Sequence, residues 1–262
     1  MTPPVRSHRR DTRAIKGIPL RALAPNAVTA LALCFGLTGV RFAISADWEK
    51  AVFCILIAGI LDGLDGRIAR MLKGESRFGA ELDSLSDVVA FGVSPAIIIY
   101  LWSLKAVPQY GWIVALAHAV CMALRLARFN ANIDAEEQPR KAAGFLTGIP
   151  APAGAGLLML PIYLNLWTGL DFFRQSWVVA LWAIAIATLV ISSLPTFSWS
   201  SLRLRRGIRL WALLAIGLLG AALMNAPWIA LSLICMAYVA TIPFSIYAYQ
   251  RVKRLRATSS GS

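Results

Sequence analysis

Apolar runs of about 20 residues recur along the chain, separated by short polar breaks, a length that spans a bilayer as a helix. They fall near 24–44, 48–72, 81–104, 109–130, 148–168, 176–194, 207–224 and 227–248. Nothing alternates with the period of two that a barrel strand needs. Backbone groups in lipid must be satisfied internally, so the pattern predicts helices. The expected fold class is all-α: a polytopic membrane protein of eight transmembrane helices with both termini cytoplasmic. Composition supports this, with 58% hydrophobic residues, only 15% charged and nine Trp, since a soluble domain carries more charge.

Charge placement tests the span assignment independently. With both ends inside, only Arg41, Lys50, Lys105 and Arg174 of the 26 basic residues fall on the outer side. Such a bias is the positive-inside pattern. The net charge of +13 is spread over every inner loop. It reads as attraction to an anionic leaflet and not as a nucleic-acid surface, and no nucleic-acid partner is expected. The domain plan is a basic tail over 1–21, a membrane domain over 22–250 and a cytoplasmic tail over 251–262. The first span should be retained, because no small-residue cleavage site precedes it. Cys34, Cys54, Cys121 and Cys235 all lie inside predicted spans without CxxC spacing, so neither disulfides nor zinc is expected.

One stretch breaks the apolar pattern: "LDGLDGRIARMLKGESRFGAELDSLSD", residues 61–87. Asp62 and Asp65 are three residues apart and share a helix face, and Asp83 and Asp87 are four apart and share another. The short loop Lys73–Phe78 turns the second helix back against the first, so four carboxylates can converge. One unpaired aspartate at mid-bilayer costs roughly 2.5–3.5 kcal/mol, and four add mutual repulsion. Hard divalent cations relieve that cost, and all-oxygen ligands indicate Mg²⁺ or Mn²⁺. Two ions sharing carboxylates would fit four aspartates. The plainer alternative is that some of these aspartates meet water and only cap helices. Gly59, Gly63, Gly66, Ala69 and Gly79 leave the facing surfaces bare, either for something bulky or for helix packing. Arg70 lies beside the carboxylates, where it can neutralise them or hold phosphate.

Asp62-x2-Asp65-Gly66-x2-Ala69-Arg70-x8-Gly79-x3-Asp83-x3-Asp87 resembles, without gap or substitution, the signature of the CDP-alcohol phosphotransferase family. The resemblance implies a helical membrane enzyme that moves a phosphatidyl-type group from a CDP-linked donor to an alcohol and releases CMP. It implies that Asp62, Asp65, Asp83 and Asp87 hold metal, with Asp87 also the general base. It further implies that Gly66, Ala69, Arg70 and Gly79 surround the cytidine diphosphate. "APNAVT" (24–29) resembles the family's start of the first helix, so Asn26 and Thr29 would border the nucleotide. Taken alone, Pro25-Asn26 is equally well a simple helix start. Homodimers, common in the family, are implied by resemblance only.

The acceptor is addressed outside the signature. "ALRLARFNAN" (123–132), "GFLTGIPAPAGAG" (144–156) and "SSLPTFS" (192–198) resemble segments of the phosphatidylserine synthase branch. The second departs by one extra residue before Gly148 and by Ile149 in place of Leu. The branch implies CDP-diacylglycerol and L-serine as substrates, at a site facing the cytoplasm of a bacterial inner membrane among membrane lipids. Serine carries a carboxylate, and Arg125, Arg128, Arg140 and Lys141 supply cations for it. Their simpler role is to anchor the fourth span or to bind donor phosphate. His118 reads as a buried hydrogen-bonding residue. Rival functions are the same chemistry on glycerol 3-phosphate, inositol or choline, and, from another class, a cation transporter built on the aspartates. A transporter places its carboxylates at mid-bilayer in broken or repeated spans, and neither is visible.

Overall fold

The computed structural model describes residues 20–72, 74, 76–131, 145–192, 195–197 and 209–259. Helix α1 (Leu20–Ile44) turns through Ser45–Asp47 into α2 (Trp48–Leu72). Asp47 caps α2 by accepting the Lys50 N–H at 3.2 Å, and its other oxygen meets Lys50 Nζ at 2.7 Å. The chain then forms one long rod from α3 (Arg77–Asp87) through a wide π-turn (Val88–Val93) into α4 (Ser94–Trp102). Helix α5 (Pro108–Ala131) follows, then the short pair α6 (Ala151–Leu158) and α7 (Leu160–Thr168), then α8 (Ser176–Ile191). A final hairpin joins α9 (Arg209–Asn225) to α10 (Pro227–Ser259).

Among the described residues, four helices are long and apolar enough to cross a membrane: Leu23–Ile44, Arg77–Trp102, Pro108–Ala131 and Pro227–Phe244. The others deviate for identifiable reasons. The motif loads the second half of α2 with Asp62, Asp65, Arg67 and Arg70. The 148–168 run is broken at Met159, one residue into the turn that Pro161 enforces by lacking an N–H. Helix α8 has 16 residues, and so runs about 24 Å.

Two further features depart from the expected pattern. Phe145–Thr147 (β1) pairs antiparallel with Pro195–Phe197 (β2), Leu146 opposite Thr196. The all-α expectation therefore needs this one addition, three residues a side being too short to register as alternation. Helix α1 also starts at Leu20, so Pro25-Asn26 lies inside it and not at its start. Pro25 falls in the second turn, where its missing N–H removes only one early bond of the ladder.

The core lies where α4, α5, α6, α7 and α8 meet, around Phe91, Ile98, Ile99, Met122, Leu157, Ile162, Tyr163 and Ile186. Helix α1 packs chiefly on α2, and also on α3 and α4. Close approach explains two glycines here. A Cβ on Gly36 would lie 2.8 Å from the Ala90 backbone, and one on Gly92 would lie 3.1 Å from Met122. The π-turn is thus gripped by α1 on one side and α5 on the other. Its cause is local: Pro95 cannot donate to Phe91, and the Ser94 N–H reaches back five residues to the Val89 carbonyl. The released Phe91 carbonyl faces the ring of fully buried His118, though without a well-formed bond. His118 is thus a packing residue of α5 set against that wide turn.

Candidate active site

The polar site is built at the ends of α1, α2 and α3. Ser76 stops the loop and starts α3, its hydroxyl accepting the Gly79 N–H at 3.0 Å. That start sets the phase of α3, so Asp83 and Asp87 face α2. Carboxylate oxygens of Asp62, Asp83 and Asp87 all lie within 4.8 Å of one another. All three side chains are half-buried. Three hard oxygen donors at this spacing, reached from a partly open side, fit a divalent cation.

Asp65 is placed differently. It is 5% exposed, and the Thr29 hydroxyl donates to it at 2.7 Å. The same hydroxyl lies 3.1 Å from the Pro25 carbonyl, but one proton favours the shorter, charged acceptor. The Thr29 carbonyl in turn accepts the Ser86 hydroxyl at 3.2 Å. Thr29 therefore ties α1 to both carboxylate-bearing helices.

The bare surfaces separate into two kinds. A Cβ on Gly63 or Gly66 would meet nothing within 4 Å, so α2 faces open space there. A Cβ on Gly79 would lie 2.8 Å from Asn26 Oδ1 and 3.1 Å from Ser76 Oγ. Gly79 thus makes room for Asn26, which stands half-buried beside the start of α3. Ala69 is half-buried and Arg70 exposed on the last turns of α2.

Comparison with known proteins matches the model of the CDP-alcohol phosphatidyltransferases over residues 22–191. A second model, CDP-alcohol phosphatidyltransferase 2, matches 208–243. The chain is 38% identical over 234 residues to the CDP-diacylglycerol–serine O-phosphatidyltransferase of Mycobacterium tuberculosis, covering 89% of this chain and 81% of that one. The Mycobacterium leprae protein of the same name is 37% identical over 235 residues, 90% and 78% of the two chains. That of Bacillus subtilis is 35% identical over 148 residues, 54% and 80%.

The chain belongs to the CDP-alcohol phosphatidyltransferase family.

In this family member, the segments that set the acceptor expectation come together. β1 belongs to 144–156 and β2 to 192–198, and they pair directly. Gly148, just past β1 at φ 77°, sits where a Cβ would be 3.1 Å from the Ser192 carbonyl and 3.9 Å from Arg125 Nε. The two arginines of α5 differ. Arg128 donates to the Ser192 carbonyl at 3.2 Å, a tie between α5 and the end of α8. Arg125 has its Nε buried without a hydrogen bond among the described residues, and its charge interacts with Asp87. Lys141 and Arg140 lie outside the described residues.

Sequence reasoning missed two polar links. Asn130, at the end of α5, donates to Ser84 Oγ at 2.8 Å, bracing α3 between the two aspartates it carries. Its only sequence signal is its place in the Arg-Phe-Asn run. Tyr238 of α10 has a buried hydroxyl without a partner among the described residues, and it lies within reach of the Arg125 charge. A tyrosine within an apolar helix gives no such signal.

Proposed function

We propose that the protein transfers the phosphatidyl group of CDP-diacylglycerol to L-serine, giving phosphatidylserine and CMP. The observation that carries this reading is the convergence of Asp62, Asp83 and Asp87 beside the unfilled face of Gly63 and Gly66. The relatives' common name supplies donor and acceptor. The site is read as facing the cytoplasm of a bacterial inner membrane, in one domain over 22–250 with eight spans and both ends inside. The supporting pattern is the confinement of basic residues to one side.

Asp62, Asp65, Asp83 and Asp87 are the carboxylates that would hold two ions, Mg²⁺ or Mn²⁺. When bound, these ions would neutralise the pyrophosphate and stabilise charge on the departing CMP. Asp65, held by Thr29, keeps its second oxygen for that task. The open face of α2 at Gly66, with Ala69 and Arg70 below it, accommodates the nucleotide, bordered by Asn26, Thr29 and Gly79. Asp87 takes the proton of the serine hydroxyl as its oxygen bonds to the phosphorus carrying diacylglycerol. The pyrophosphate bridge breaks, and CMP leaves with the electron pair. Arg125 anchors the serine carboxylate, and Arg128 and Lys141 are the further cations that the sequence offers for it. The acyl tails stay in lipid while the head group enters at the cytoplasmic face. A homodimer is retained as part of this reading on family likeness.

The test is CMP release from CDP-diacylglycerol by the purified protein. L-serine, glycerol 3-phosphate, inositol and choline are offered at equal concentration, with the product identified by mass. Phosphatidylserine is the expected product. EDTA should stop the reaction, and Mg²⁺ or Mn²⁺ should restore it. Efficient use of glycerol 3-phosphate instead of serine would move the protein to another branch, and cation transport without CMP release would make it a transporter.

A further inference from the structure

The C-terminal hairpin carries more polar chemistry than its apolar sequence suggests. Tyr238 sits on α10, which packs along α7 and also touches β2. β2 pairs with β1, and Gly148 directly after β1 brings the backbone close to Arg125. A chain of contacts thus leads from α10 through the paired strands to the arginine. The Tyr238 hydroxyl and Arg125 Nε are both buried, and neither has a hydrogen-bond partner among the described residues. Arg125 lies within electrostatic reach of the Asp87 carboxylate and of the Tyr238 hydroxyl.

Buried hydroxyls and guanidinium N–H groups are rarely left unpaired, because each then bears its full desolvation cost. Two such donors on separate helices, facing one region beside a carboxylate that would take a proton, imply an anionic guest. Serine brings a carboxylate with four lone-pair sites, enough for the guanidinium and a phenol together. Its hydroxyl would then lie toward Asp87, on the other side of Arg125.

The geometry points to Tyr238 as an acceptor-binding residue: its hydroxyl donates a hydrogen bond to the serine carboxylate held by Arg125, and so helps select serine. This rests on serine being the acceptor. It assigns α10 a part in the site, although the aspartate motif lies entirely on α2 and α3. It also gives the hairpin matched by the second family model, 208–243, a chemical role beyond closing the bundle.

The experiment compares the purified full-length protein with Tyr238→Phe, which removes one oxygen and preserves the ring. CMP release is measured against L-serine, against ethanolamine, which lacks the carboxylate, and against CDP-diacylglycerol concentration. In the variant the KM for serine should rise roughly ten-fold, the weight of one hydrogen bond to a charged group. The KM for CDP-diacylglycerol and the slow rate with ethanolamine should stay unchanged. The rise in Tm produced by serine on the native protein should shrink in the variant by a matching factor in affinity. An unchanged serine KM, or an equal loss with ethanolamine, overturns the role of Tyr238 while leaving serine as acceptor. A variant that no longer binds CDP-diacylglycerol assigns the hydroxyl to packing and also overturns it. Native protein that ignores serine and uses another alcohol overturns the acceptor reading itself, before any variant is made.

Discussion

Asp65 and Asp87 belong to one motif, yet their surroundings differ, which supports the different roles proposed for them. Asp65 is buried and one of its oxygens is engaged by Thr29, whereas Asp87 stands half-buried within reach of Asp62 and Asp83. A base must accept a proton and release it again, so it needs an open lone pair, while a ligand needs a fixed one. Asp87→Asn should therefore cut turnover by roughly 10²–10⁴-fold and keep CDP-diacylglycerol binding within an order of magnitude. Asp65→Asn should weaken both, since an amide holds a hard cation poorly. Equilibrium binding of the donor beside single-turnover CMP release separates the two, and equal binding losses would make Asp87 only another ligand. The spacing of the four aspartates made this cluster legible in the sequence. The Thr29 clasp was not legible, because it joins residues 36 apart along the chain and depends on how α1 crosses α2.

At the scale of elements, glycine had two readings in the sequence, and the helices divide them. Gly66 faces open space, while Gly79 is packed against Asn26 and Ser76. Gly66→Leu should leave Tm close to that of the native protein, because no neighbour is displaced, yet abolish donor binding by filling the nucleotide's place. Gly79→Ala should instead lower Tm, by the few degrees that about 1 kcal/mol of overpacking produces, as Asn26 gives way and α1 loosens from α3. Thermal unfolding alongside donor affinity distinguishes them, and a normal affinity in Gly66→Leu would return that glycine to helix packing. Helix positions followed from apolar run length, as with α2 and α5. The π-turn after Asp87 did not, although Pro95 signals a disturbed ladder, because a proline permits a kink, a break or a wide turn alike. The strand pair escaped for a related reason: its two halves are separated by α6, α7 and α8.

For the whole molecule, the distribution of charge along the sequence supports the proposed orientation, which the helices alone leave open. Either end of the bundle would shelter the aspartates equally well, but the proposed donor is read as presenting its nucleotide to the cytoplasm, the side to which the span pattern assigns most basic residues. The outer loops keep few cations, and one of them, Lys50, is paired with Asp47 and lies over the Phe42 ring. Another, Arg174, donates to the Trp102 carbonyl at 3.2 Å, so both are fixed by local contacts. The lipid-facing surface agrees with embedding, since Ile60, Leu181 and Phe244 are among many large apolar side chains left outward. Single cysteines at Ser45, in the turn between α1 and α2, and at Arg77, at the start of α3, test the orientation. They are introduced after alanine replaces Cys34, Cys54, Cys121 and Cys235, and intact cells are treated with a membrane-impermeant maleimide. Ser45→Cys should be labelled from outside, and Arg77→Cys only after the cells are opened. The reverse pattern would leave the aspartates on the side without CDP-diacylglycerol. The proposed transfer could not then proceed, whatever the carboxylates bind.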